Sequence, residues 1–354
     1  MDIGLAYNLK SDFAVRHNGP EDQLEEYDSE TTVAALETAL RTLGHAPRRL
    51  GGGRTFLETV LAQPPELVFN IAEGFGTRSR EAHVPAVLEM LNIPFTHSDP
   101  LTLALTLDKA MSKRIVAAAG VPTPAFAVLE DGTSVRGLGL SFPVLAKPLY
   151  EGSSIGIRNA SRLNSTPELL AWAARLRRTY RQPVLAEEFC PGPEFTVGVV
   201  GTGPAARIVA VMEIVPRTRR LEEFIYGLET KRNYRTEVEY HVPPRRPARL
   251  MRAAERIALA AYRALGCRDV GRVDLRVGRD GTLKFLEINP LPGLHPVTSD
   301  LAIMAQRAGW SYTELVGAIV DSARARLGLL DREGRERRRG NRKARGKRTP
   351  EAKS

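Results

Sequence analysis

The chain has 354 residues, 43% hydrophobic and 26% charged, which is ordinary for a soluble globular protein and enough for two or three domains with substantial cores. No segment reaches the ~18 uncharged apolar residues of a membrane span, and the first twenty residues lack the apolar run of a secretion signal. Two cysteines, Cys190 and Cys267, are too few for a disulfide scaffold or a zinc site, so the expected setting is the reducing cytoplasm. The net charge of +10 is concentrated at one end. Residues 331–354 hold eleven Lys/Arg and four Asp/Glu, a balance of +7, leaving +3 for the rest. That segment reads as a disordered basic tail that solubilises the protein or attracts polyanions nonspecifically. A specific nucleic-acid role is the less favoured reading, so no specific nucleic-acid partner is expected.

In chain order, DIGLAY (2–7) suits a first strand. About twenty charged residues follow, long for a loop in a compact domain and expected to be functional or mobile. Ser29 can cap a helix with Val33, Leu36, Leu40 and Leu43 at helical spacing, ended by Gly44. LVFNI (67–71) reads as a buried strand and residues 80–93 as a helix, so the first hundred residues suggest a parallel α/β sheet. Asp108 can cap a helix over 109–119. FPVLAK (142–147) is a strand followed by the Gly/Ser loop YEGSSIGI. Ser165 and Glu168 have the spacing of a capping box opening a helix to about Arg178. PVLAEEF (183–189), EFTVGVVG (194–201) and ARIVAVMEIV (206–215) are strands and 246–265 is a helix. A hairpin occupies 270–289, and helices end by about residue 328.

The hairpin VGRVDLRVGRDGTLKFLEIN carries the sharpest signal. Val273, Leu275 and Val277 alternate with Arg272, Asp274 and Arg276, and Leu286 and Ile288 alternate with Glu287 and Asn289, so one face is apolar and one polar. Asp280-Gly281 reads as a two-residue turn. That turn sets Asp274 opposite Glu287 and Arg272 opposite Asn289. Two directly opposed carboxylates repel, and a hard divalent cation converts the repulsion into binding. Asp274, Glu287 and Asn289 are therefore candidate Mg²⁺ ligands, with Mn²⁺ an acceptable substitute. The competing reading is an exposed face whose acids pair with Arg272 and Arg276.

The strand pair RVDLRV…FLEINPLPGL resembles the metal-binding core of ATP-grasp enzymes, most closely D-alanine–D-alanine ligases. LVFNIAEGFG, LNIPFTHSDPLTLALTLDK, AAAGVPTP, FPVLAKPLYEGSSIGI and VLAEEFCPGPEFTVGVVG follow in family order, so the match spans most of 67–320. The resemblance implies an ATP-grasp fold: an N-terminal α/β domain (1–98), then two α+β subdomains (99–188 and 189–330) clasping ATP. It also implies ATP and Mg²⁺ as cofactors. Lys109 and Lys147 match the phosphate lysines. Glu187 matches the acceptor for the adenine amino group, Glu188 to Cys190 the backbone hinge that reads the base, and Glu194 the ribose acid. Gly152 to Gly156 matches the phosphate-covering loop, with Ser153 near the reacting groups and Ser154 among the nucleotide-binding residues. Arg272 matches a residue holding the acyl-phosphate and tetrahedral intermediate, Lys231 a γ-phosphate lysine and Gly293 a glycine beside the acceptor. The implied reaction is phosphorylation of a carboxylate followed by amine attack, joining two small molecules, amino acids by family. Dimers are common in that family.

The departures fall on substrate residues. No Ser-x-Glu motif follows the first strand, though Asp12, Glu21 or Asp28 can substitute. Glu73 stands where the family has a histidine, and Arg78, Ser79, Arg80 and Glu81 replace its acidic stretch. In FIYGLETKRNY, Arg232 stands where a tyrosine is expected, and Tyr234 comes two residues late. HPVTSD replaces a serine-leucine pair, leaving Thr298 as the nearest hydroxyl. The expectation is a ligase with an altered amino-acid substrate. The alternatives are a genuine D-alanine–D-alanine ligase and a non-catalytic nucleotide-binding module.

Overall fold

The computed structural model describes residues 1–13, 19–132 and 138–329. The basic tail at 331–354 lies outside the described residues.

Three sheets follow one another along the chain. The first holds β1 (Asp2–Ala6), β2 (Ala46–Gly51) and β3 (Leu67–Asn70), all parallel with β1 central. Between them run α1 (Glu30–Thr42) and α2 (Gly53–Ala62), and α3 (His83–Met90) follows. Ser29 caps α1 by accepting from the Thr32 amide, and Val33, Leu36 and Leu40 are buried as their spacing requires. The helix expected over 80–93 is shorter: a 3-10 turn at Arg80–Ala82 precedes α3.

Next come α4 (Pro100–Leu107) and α5 (Lys109–Ala118), then β4 (Phe126–Leu129), β5 (Val144–Pro148), β6 (Arg162–Leu163), α6 (Thr166–Tyr180) and β7 (Val184–Glu188). These strands form an antiparallel sheet in the order β4-β7-β5-β6. Leu169, Ala173 and Leu176 of α6 pack on Val144, Ala146 and Val184. Glu168 donates its amide to Ser165 and returns its carboxylate to the Ser165 hydroxyl and the Asn164 amide.

The third sheet contains β8 (Glu194–Val200), β9 (Arg207–Pro216), β10 (Val238–His241), β11 (Val270–Val277) and β12 (Leu283–Asn289), antiparallel in the order β10-β9-β8-β11-β12. The short helices α7 (Leu228–Arg232) and α8 (Tyr234–Glu237) lie between β9 and β10, and α9 (Ala248–Ala264) covers one face. The helices α10 (Asp300–Arg307) and α11 (Tyr312–Arg326) complete the fold. One core unites Ile3, Leu5, Leu36 and Phe69 of the first layer with Met212, Leu315, Ile319 and Val320 of the last. A buried Asp269–Arg326 ion pair (2.7 Å) and an Arg326 bond to the Phe95 carbonyl (2.9 Å) fasten α11 there.

The β11–β12 hairpin pairs Asp274 with Glu287 and Arg272 with Asn289, as expected, but by a different route. The turn is not the two-residue type. Gly278 N–H donates to Thr282 C=O (2.8 Å), leaving a three-residue loop, 279–281, in which Gly281 takes the left-handed conformation (φ +74°). That loop moves the register by one, so Leu275 faces Phe285. A bulge at Leu286 moves it back before Glu287. Leu286 consequently leaves the apolar face predicted for it and lines the cleft beside Glu287.

Candidate active site

The second and third sheets face each other across a cleft lined by Lys147, Glu187, Cys190, Glu194, Lys231, Arg272, Asp274, Arg276, Leu286 and Glu287. Residues widely separated in sequence thus converge as anticipated, and their charges form an alternating chain. Lys147 Nζ lies 3.0 Å from Glu187 Oε1 and 3.4 Å from Glu287 Oε2, with 3% of the residue exposed. Lys109 Nζ is 3.9 Å from the same Glu287 oxygen and also donates to the Glu151 carbonyl. Lys109 is the first residue of α5, where the helix dipole disfavours a cation. A buried lysine placed there suits an anionic ligand.

Burial alone would raise the Glu287 carboxyl, but Lys147, Lys109, Lys231 and Arg272 together hold it well below the usual range. It is therefore ionised and ready to bind a cation. Asp274 accepts from the Thr196 hydroxyl and from Arg272 (3.0 and 3.1 Å). The competing reading of the hairpin is thus partly realised, since Asp274 does pair with Arg272, but on a buried rather than an exposed face. Asn289 Oδ1 accepts from the Leu291 amide (3.1 Å), which leaves one lone pair. Among the described residues no group of three or more His, Cys, Asp or Glu gathers as a metal cage. A donor set of two carboxylates and one amide oxygen fits Mg²⁺, which takes its remaining ligands from phosphate and water.

Phe189, Cys190 and Leu286 also line this cleft. Among the described residues the Cys190 N–H meets no acceptor. Burial pushes the Cys190 thiol up to about 11, so it stays protonated and is no nucleophile. The Glu188 side chain turns away and accepts from the Ser141 amide (2.8 Å). Glu194 pairs with Arg276 (3.2 Å), which also caps the carbonyls of Gly192, Leu221 and Phe224 and stacks on Phe189.

Three side chains absent from the sequence prediction belong here. Lys113 is fully buried, 2.8 Å from Glu187 Oε2. Tyr226 lies under Lys231 Nζ (5.3 Å to the ring centre) and touches Tyr240 (2.6 Å) and Asp300 (3.3 Å) through its hydroxyl. Asp300 sits 3.6 Å from Arg272. A lysine four residues after Lys109, and a tyrosine within the segment of Lys231, were the available signals.

The Gly/Ser loop differs from a simple phosphate cradle. Ser153 (φ +46°) and Ser154 (φ +62°) are consecutive residues in the left-handed region, uncommon outside glycine. Two neighbouring amides are already taken: Gly152 donates to Glu26 and Gly156 to Asp22 (2.9 Å). Asp22, with no exposed surface, also holds Arg158 (2.9 Å) and the Tyr180 hydroxyl (3.0 Å). The charged segment after β1 therefore reaches the site through Asp22 and Glu26. Of the predicted substitutes, Asp12 lines the same cavity as Glu26, Arg80 and Glu151. Asp12 caps Leu9, Glu21 is an exposed partner of Arg158, and Asp28 lies beside Thr32.

Beside Lys109, a neighbouring cavity is lined by Glu26, Arg80 and Glu151. Arg80 bridges Glu26 (2.6 Å) and Glu151 (3.4 Å). Burial, then the charges of Glu81 and Glu26, push Glu73 well above the carboxylate range, and burial brings Glu81 to about 7. Thr298 is exposed, and its amide donates to His295. The hydroxyl beside Gly293 is instead that of Ser299, which accepts from the His295 amide (2.9 Å).

A cleft between two antiparallel sheets, with lysines from one and a carboxylate pair from the other, defines an ATP-grasp fold. The D-Ala D-Ala ligase C-terminus model matches residues 115–321. A D-alanine–D-alanine ligase of Bordetella avium is 35% identical over 299 residues, 83% of this chain and 89% of that one. The ATP complex of a Bacillus anthracis D-alanine–D-alanine ligase superposes with a TM-score of 0.70 at 20% identity, covering 94% of this chain and 99% of that one. The VanG D-Ala:D-Ser ligase of Enterococcus faecalis gives 0.68 at 19%, covering 91% and 99%. The two structures share the fold. The chain belongs to the D-alanine–D-alanine ligase family, ATP-dependent ligases that form C–N bonds on small amino-acid substrates. Among the described residues no helix is long and apolar enough to cross a membrane.

Proposed function

We propose that this member joins an amino-acid pair other than two D-alanines. The observation that carries the reading is the carboxylate group beside the cleft. Glu26, Glu73, Glu81 and Glu151 surround a single Arg80 beside Lys109. The cleft keeps the family residues while this group is rewritten.

Lys109, Lys147 and Lys231 would neutralise the triphosphate, with the Ser153 and Ser154 amides closing over it. Glu187 and the Cys190 amide would read the base and Glu194 the ribose. Asp274, Glu287 and Asn289 would hold Mg²⁺, which when bound offsets phosphate charge as the γ-phosphoryl group moves to a carboxylate. Arg272, beside Asp274, would stabilise the oxyanion formed when the amine attacks. The work is positioning, charge neutralisation and exclusion of water from an acyl-phosphate. The acceptor would pass Gly293 and Ser299, and the first amino group would meet Glu73. The proposal extends to a cytoplasmic homodimer, on the strength of two buried free thiols, Cys190 and Cys267, and of the resembled family.

The test is ADP release and product mass across a panel of D- and L-amino acids and hydroxy acids. Fast D-alanyl-D-alanine formation with no better pair sinks the proposal. The second reading, a D-alanine–D-alanine ligase of cell-wall synthesis, is favoured by the 35% identity to the Bordetella avium enzyme. It predicts growth rescue of a ligase-deficient bacterium.

A further inference from the structure

Lys113 is the most deeply buried cation next to the cleft, and no nucleotide contact needs it. Its side chain has no exposed surface. Nζ lies 2.8 Å from Glu187 Oε2, 3.1 Å from Thr123 Oγ1 and 3.2 Å from the Phe285 carbonyl. Those partners belong to different parts of the site. Glu187, on β7, is the carboxylate at the base edge. Phe285, on β12, immediately precedes the Leu286 bulge that returns Glu287 to its place opposite Asp274. Thr123 adds its own bond to the Phe285 carbonyl (2.9 Å), and Pro122 takes the Phe285 amide (2.7 Å).

We propose that Lys113 is a positioning residue for nucleotide selection: it holds Glu187 as an oriented, ionised hydrogen-bond acceptor facing the base edge and ties that carboxylate to the strand bearing the metal hairpin. Glu187 has two ammonium partners, Lys147 on Oε1 (3.0 Å) and Lys113 on Oε2. Lys147 is shared with Glu287 (3.4 Å). Without Lys113 the Glu187 carboxylate has only Lys147, and it is drawn toward the phosphate end of the cleft. A buried carboxylate that loses an ion partner favours its neutral form, and a protonated acid presents a donor where an amino-bearing base needs an acceptor. The expected consequence is loss of discrimination, not general loss of binding.

The inference rests on Glu187 reading the base, and the experiment separates the two. Binding of non-hydrolysable ATP and ITP analogues is measured by calorimetry on the full chain, because inosine replaces the amino donor with a carbonyl. E187Q tests the base contact: an unchanged ATP/ITP affinity ratio removes Glu187 from base recognition. With that contact established, K113M is expected to weaken ATP binding about tenfold or more and leave ITP binding nearly unchanged. In turnover, KM for ATP rises while kcat holds, and K113R restores part of the ratio. An unchanged ratio in K113M, or equal weakening of both nucleotides, overturns the proposal. Should K113M fail to fold, K113M/E187Q is compared with E187Q, since the neutral pair leaves no uncompensated charge. Equal ratios in those two support Lys113 acting through Glu187, and different ratios overturn it.

Discussion

Asp274 and Glu287 face each other across β11 and β12, and they do so because a three-residue turn and a one-residue bulge cancel. The pair sits within reach of four cations that keep Glu287 ionised. Glu287→Ala should lower turnover on the order of 10²–10³-fold while weakening nucleotide binding only partly. ADP release under saturating Mg²⁺, set beside nucleotide calorimetry, checks this. Unchanged turnover would remove the hairpin from the chemistry.

The second prediction concerns Arg276. Its guanidinium supplies the ion partner of buried Glu194 and bonds to three carbonyls. Arg276→Met strands that carboxylate, and breaking a buried pair from one side typically costs about 3–5 kcal/mol. Urea unfolding should show a loss of this size, and Arg276→Met with Glu194→Gln should lose less. A larger loss in the double variant would mean that the carbonyl bonds, not the ion pair, dominate.

How much of this was legible in the sequence differs by residue. The carboxylate pairing came through because alternation and an Asp-Gly turn are local signals, even though the assumed turn was one residue too short. The lysines and acids that line the cleft sit inside ordered family motifs. Lys113 did not stand out, because a lysine one turn after another resembles a solvated helix face until burial is known. Asp22 and Glu26 were missed in a segment without periodicity, where any of seven acids could reach the site. The strand β2 and helix α2 hid behind Arg48-Arg49 and three consecutive glycines, which mimic a loop.

Asp22 clamps the Gly/Ser loop through the Gly156 amide, Arg158 and Tyr180. Asp22→Ala removes a charge-assisted anchor, a group of bonds worth about 1.5–3 kcal/mol each. KM for ATP should rise roughly tenfold, and ADP should form without amide, because a loosened loop admits water to the acyl-phosphate. Comparing ADP with amide product gives the coupling ratio, and a ratio near one in the variant would clear Asp22 of this role.

Stability should respond to pH through Asp28. Burial pushes its carboxyl up to about 7, against 3.8 in a free chain. The folded protein therefore binds the proton more tightly than the unfolded one. The stabilisation is complete below about pH 4 and is lost as pH rises through 7, at up to about 1.4 kcal/mol per unit. Asp28→Asn cannot titrate, so its thermal midpoint should exceed that of the native chain at pH 8 and approach it at pH 4. A constant difference across that range would show that Asp28 titrates normally.

The core shared by Ile3, Leu5 and Phe69 with Leu315, Ile319 and Val320 orders events in the living cell. The first layer leaves the ribosome with an uncovered apolar face, and the residues that cover it are synthesised only after the strands of both other sheets. That layer cannot mature before α11 has been synthesised. Until α11 arrives, its exposed surface is available to chaperones or to neighbouring nascent chains. A ribosome stalled before residue 312 would therefore carry an unfinished N-terminal layer, however well the middle of the protein had already folded.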